Sequence, residues 1–276
     1  MRDSTAPPLP IVVGIDGSQA AIRAAKWAVA EAVSREVPLR LAAVIPHQAE
    51  PSPLASVGNV PIELEYAETA LRIASAAVTA SGHPVKVETA ILRGDPATAL
   101  IAESRDAAMV CVGSTGIGRF ARTFLGSTAA ELAEAAHCPV AITRTQQSRP
   151  KPGSSLIVVA VSDSPANDDV VEQAIQEAQL RHAPVLVLGV WRQDLGEMPY
   201  DELDRRVHVW EQRYRSVRLY AAATRTGIAD FLSVGDRQIQ LAVIGRTDTD
   251  QVASLIGPHG HPVLGHAECS VLIVRS

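Results

Sequence analysis

The chain has 276 residues, 47% hydrophobic and 20% charged, a length and balance that suit two ordinary globular domains and exclude extensive disorder. Its net charge of −5 comes without a basic block, which argues against nucleic acid as a partner. The apolar runs at 11–15, 109–112 and 185–190 fall far short of the roughly 20 residues that cross a bilayer, so no membrane partner is expected.

From the start, polar residues Met1-Arg2-Asp3-Ser4-Thr5 lead to a first strand near 10–16 with no apolar signal core before it, so a cytoplasmic location is expected. A helix near 19–36 follows, with Ser18 placed to cap it and Ala24, Ala25, Ala28 and Ala32 giving a small face that can lie close on a sheet. Then come a strand near 39–45, a helix near 60–81, a strand near 85–92 and a helix near 96–105 opened by Pro96. A strand near 109–113, a helix near 127–137 and a strand near 139–143 complete the set. Cys111, Cys138 and Cys269 sit in or beside predicted core strands without paired spacing, which points to buried thiols in a reduced compartment and no structural disulfide.

The pattern then repeats. Pro38-Leu39-Arg40-Leu41 matches Pro184-Val185-Leu186-Val187, and His137-Cys138-Pro139-Val140 matches Glu268-Cys269-Ser270-Val271. The second copy predicts strands near 155–162, 185–191, 217–223, 240–245 and 270–275, and is shorter between its second and third strands. The polar, Pro- and Gly-rich stretch 145–154 reads as a linker between domains 1–147 and 148–276. Apolar strands alternating with helices predict an α/β fold: two tandem doubly wound, flavodoxin-like or Rossmann-like domains, each with a five-stranded parallel sheet flanked by helices.

In such sheets ligands bind beyond the carboxyl ends of the strands, where strand order switches direction. Two features of the first copy lie there. Gly14-Ile15-Asp16-Gly17-Ser18 sets a carboxylate after strand one, where Asp16 serves equally well as a turn residue without a ligand. Strand four runs into a loop with Gly113, Gly116, Gly126 and Ser127, and Gly126-Ser127-Thr128 opens a helix whose free N–H groups and dipole favour an anion. Taken alone this is either a phosphate loop or a Gly-rich connection with a Ser cap. It is not a Walker A loop, because no Lys follows the final glycine.

Gly113-x2-Gly116-x9-Gly126-Ser127, with Val13-Gly14-Ile15-Asp16-Gly17-Ser18 and the closing His137-Cys138-Pro139-Val140, resembles the universal stress protein family, in the tandem form common in actinobacteria. The resemblance implies ATP as ligand, with a divalent ion such as Mg2+ or Mn2+ on its phosphates. It makes Asp16 a ribose or adenine contact, with Gly14 in the same turn, and Val44 an adenine contact through its backbone. Gly113 would border the ribose, and Gly116, Gly126, Ser127 and Thr128 would hold the phosphates. Arg119 and Arg122 read either as closing cations or as solvated loop residues. The family resemblance also implies a homodimer, or an intramolecular pseudo-dimer of the two copies, with protein partners left unspecified.

The second copy departs from this pattern. Ser162 stands where Asp16 was, Asp248 where Gly116 was, and Pro258 where Ser127 was, while Gly257 aligns with Gly126. An acidic side chain and a missing N–H oppose a phosphate. One nucleotide per chain is therefore expected. His259, His261, His266 and Cys269 suggest a metal, but roughly 12 Å of predicted helix separates the first pair from the second, which allows at most a two-histidine surface site. Three function classes remain: a nucleotide-dependent regulator in stress or dormancy, a weak ATPase, and an interaction module with a vestigial site. Hydrolysis needs a group to position water, and the loop offers Ser114, Thr115 and Thr123 but no acid or histidine beside Gly126.

Overall fold

The computed structural model describes residues 7–47, 62–116, 125–144, 155–161, 167–190, 200–233, 238–257 and 269–275. The chain divides into two compact units. The first takes Met1–Arg119 and Ser127–Thr143; the second takes Arg144–Ser276 and the short stretch Phe120–Gly126.

The first unit runs β1 (Ile11–Gly14), α1 (Gln19–Ser34), β2 (Leu39–Ile45), α2 (Ile62–Thr79), β3 (Val87–Arg93), α3 (Pro96–Glu103), β4 (Met109–Gly113), α4 (Ser127–Ala135) and β5 (Val140–Thr143). Its strands lie in the order β3-β2-β1-β4-β5. All pairings are parallel, with Ile11 level with both Leu39 and Met109. The sheet order reverses between β1 and β4, which sets a switch point at their carboxyl ends.

The second unit repeats the plan with β6 (Leu156–Val161), α5 (Asn167–Arg181), β7 (Val185–Val190), α6 (Tyr200–Arg213), β8 (Leu219–Thr224), α7 (Ile228–Ser233), β9 (Ile239–Ile244), α8 (Val252–Ile256) and β10 (Ser270–Ile273). Its order, β10-β9-β6-β7-β8, is the same arrangement with parallel pairing throughout. The connection from Val190 to Leu219 is shorter than that from Ile45 to Val87, as the sequence predicts.

The core follows from the side chains. Ile11, Val13, Leu39, Leu41, Met109 and Cys111 are buried in the first sheet, and Ile157, Val159, Val185, Val187, Leu241 and Val243 in the second. Each buried Val, Leu or Ile contributes about 1.5–3 kcal/mol relative to exposure. On α1, Ala24, Ala25, Ala28 and Ala32 are all inaccessible to solvent, so the helix axis can approach β1 and β4 closely. Ser18 caps it, its hydroxyl accepting from Ala21 N at 3.0 Å. Asp95 caps α3 by accepting from Thr98 N at 2.9 Å, and Pro96 takes the first helical position, where no N–H is needed.

The repeat extends to details. Glu36 and His182 both take a left-handed conformation, at φ 55° and 50°. The next residue in each copy donates back into the helix, Val37 N to Ala32 O and Ala183 N to Ala178 O, both at 3.0 Å, the bond of a Schellman stop. One turn earlier, buried Glu31 pairs with Arg35 at 3.6 Å and buried Glu177 with Arg181 at 2.5 Å. Cys111, Cys138 and Cys269 are buried, and none of the three forms a disulfide.

Candidate functional site

Most of the candidate residues of the first unit stand at the carboxyl ends of β1, β2 and β4. The β1 ladder closes with Ile15 N donating to Ala42 O at 2.8 Å, and the chain then turns at Gly17, whose φ of 83° suits glycine. Within that turn Asp16 Oδ1 accepts from Ser18 N at 2.9 Å. The turn role read from the sequence is therefore real.

Asp16 Oδ2 faces Gly116, three residues beyond β4. A Cβ placed on Gly116 would lie 2.6 Å from Asp16 Oδ2, closer than side chains approach. Gly113 is confined as well: a Cβ there would lie 2.7 Å from Ala20 Cβ and 2.8 Å from Ala20 C, in the first turn of α1. Bare backbone at 113 and 116 is what lets the end of β4 pass so near the β1 turn. Gly14 has a packing reason for its identity, since a Cβ there would meet Leu100 Cδ1 at 2.9 Å. Val44 lies half-buried two residues beyond Ala42, the partner of Gly14.

Ser114 is buried and its N–H donates to Thr143 O at 3.0 Å, which fixes the chain just after Gly113. Ser127 and Thr128 are the first two residues of α4, where backbone N–H groups have no partner inside the helix. Gly126 immediately precedes them. Arg119, Arg122 and Thr123 lie outside the described residues.

Tyr66, on α2, is a neighbour that sequence reasoning missed. Its hydroxyl donates to Asp16 O at 3.1 Å. A Cβ on Gly17 would sit 2.5 Å from that hydroxyl, so the glycine makes room for it. Fifty residues of sequence separate the two, and only the fold brings them together.

The second unit is built differently at the matching place. Gly245 after β9 has room for a side chain, since a Cβ there would find its nearest neighbour, Val170 Cγ2, at 3.6 Å. The chain then winds into a 3-10 turn, Arg246–Gln251, which contains Asp248, and continues into α8 with Val252, Leu255 and Ile256 buried. Gln251 Oε1 accepts from Ala229 N at 3.3 Å, tying this segment to the start of α7. Gly257, with φ 66°, closes α8. Ser162, Asp163, Pro258, His259, His261 and His266 lie outside the described residues.

Comparisons with known proteins agree with this architecture. The model of the universal stress protein family matches residues 9–144 and again 155–275. Universal stress protein Rv2624c of Mycobacterium tuberculosis is 52% identical over 265 residues, covering 96% of each chain. Universal stress protein Rv2028c of the same organism is 39% identical, over 99% of this chain and 98% of its own. The crystal structure of a universal stress protein from Archaeoglobus fulgidus DSM 4304 shares the fold, with a TM-score of 0.68 at 16% identity over 97% of this chain and 96% of that one. With two matched copies and relatives that align from end to end, the chain belongs to the universal stress protein family.

Proposed function

We propose that the protein binds one adenine nucleotide, ATP, at the strand ends of its first unit and acts through it as a regulator in a stress or dormancy response. The observation that carries this reading is the approach of Gly116 to Asp16, with 2.6 Å between an ideal Cβ and Oδ2. A carboxylate repels phosphate but accepts from hydroxyl or amino groups, so Asp16 suits the ribose or the base. Val44 stands at the end of the neighbouring strand, on the adenine side of this assignment, with Gly14 and Gly113 framing the turn. Phosphates suit the backbone N–H groups of Gly116 and of Gly126, Ser127 and Thr128 at the opening of α4.

A divalent ion, Mg2+ or Mn2+, would be held by the phosphate oxygens. Among the described residues no group of three or more His, Cys, Asp or Glu side chains gathers to hold one. A cytoplasmic location and homodimerisation go with this reading and rest on the sequence and the family resemblance. Among the described residues, no helix is long and apolar enough to cross a membrane.

Calorimetric titration with ATP tests the site. The unmodified chain binds. Gly116→Glu abolishes binding by placing a charged side chain against Asp16, and Asp16→Ala weakens it about ten-fold, the worth of a hydrogen bond to a charged group. Equal binding by Gly116→Glu, or none by the unmodified chain, would refute the proposal.

A further inference from the structure

Tyr66 is half exposed, at 51%, yet its position is fixed. Its hydroxyl is hydrogen-bonded to the carbonyl of Asp16, and the missing side chain of Gly17 gives the ring its seat. An exposed tyrosine on a helix surface ordinarily leaves its hydroxyl to water. Here α2 packs on β2 and α1, and delivers the phenol to the β1 turn. The result is a flat apolar ring, half uncovered, held against the turn whose carboxylate is assigned to the nucleoside.

We infer that Tyr66 is a specificity-determining residue of the nucleotide site, its ring stacking on the purine while its hydroxyl stays anchored to Asp16. This rests on the nucleotide reading given above. Aromatic rings stack on bases through their faces, and such contacts tolerate solvent on one side. Gly17 has a matching role: a side chain there would collide with the phenol and displace the ring. Ile62 and Ile73 are also exposed on α2, at one and two turns from Tyr66, so a protein contact along this helix is the competing use of the ring.

The two uses separate by ligand. Binding of ATP and of inorganic tripolyphosphate, which lacks base and sugar, is measured for the full chain and for Tyr66→Ala, Tyr66→Phe and Tyr66→Trp, with thermal unfolding to confirm that each variant folds. Tyr66→Ala loses about ten-fold in ATP affinity, the usual scale of one base–aromatic stack, and none in tripolyphosphate affinity. Tyr66→Phe keeps the ring and most of the ATP affinity. In Tyr66→Trp, ATP quenches emission above the background of the three native tryptophans and tripolyphosphate does not. Unchanged ATP affinity in folded Tyr66→Ala, or equal losses for both ligands, overturns the inference while leaving the site intact. Failure of the unmodified chain to bind ATP overturns the site reading and this inference with it.

Discussion

Gly113 and Gly245 occupy matching places after β4 and β9, yet only the first is sterically required. An alanine at 113 must push into the backbone of Ala20, whereas one at 245 meets nothing nearer than 3.6 Å. Gly113→Ala is therefore expected to destabilise the protein by about 1–3 kcal/mol, as overpacking does, and Gly245→Ala to stay within about 0.5 kcal/mol. Urea unfolding measures both. Cys269 adds a pH dependence. Complete burial pushes its thiol up to about 12, from an ordinary value of 9.0. Between those values the folded thiol keeps a proton that the unfolded one has lost, so stability falls as pH rises through that interval. In Cys269→Ala the alkaline fall is shallower; an unchanged slope would show that other groups cause it. The glycines and Asp16 were legible as single letters because their chemistry is local. Tyr66 was not, because its partner lies far away in sequence and nothing in the spacing of α2 marks it.

Strands and helices were largely legible because apolar runs and caps are written within each segment. Ser18 and Pro96 sit where the sequence places them. The strands end sooner than predicted where turn geometry intervenes, as at β1, which stops at Gly14 before the Asp16–Gly17 turn. The buried helical turn of Val252, Leu255 and Ile256 ahead of Gly257 went unread, because its five residues are too few to show a period. The Glu–Arg pairs at the ends of α1 and α5 went unread as well, although Glu31 and Arg35 recur as Glu177 and Arg181. Removing one member of a buried pair strands the other charge, so Arg181→Ala should cost about 3 kcal/mol, and adding Glu177→Leu should recover most of it. Equilibrium denaturation of the single and double variants checks this. A loss in the double variant as large as in the single would show that the pair holds the helix by packing alone.

At the scale of the whole molecule, one plan is used twice with different ends. The first copy keeps bare backbone at Gly113 and Gly116, close to Ala20 and Asp16; in the second, Gly245 has room for a side chain and Asp248 follows in a 3-10 turn. Duplication preserved the sheet, the helix stops and the ion pairs, which serve folding in both copies. It did not preserve the close approach at β4, which folding alone does not need. That contrast is the reason to assign ligand binding to one copy. Native mass spectrometry of the full chain with excess ATP tests the assignment most directly. The account predicts a single adenine nucleotide per chain, lost in Gly116→Glu; two nucleotides per chain, or none, would contradict it.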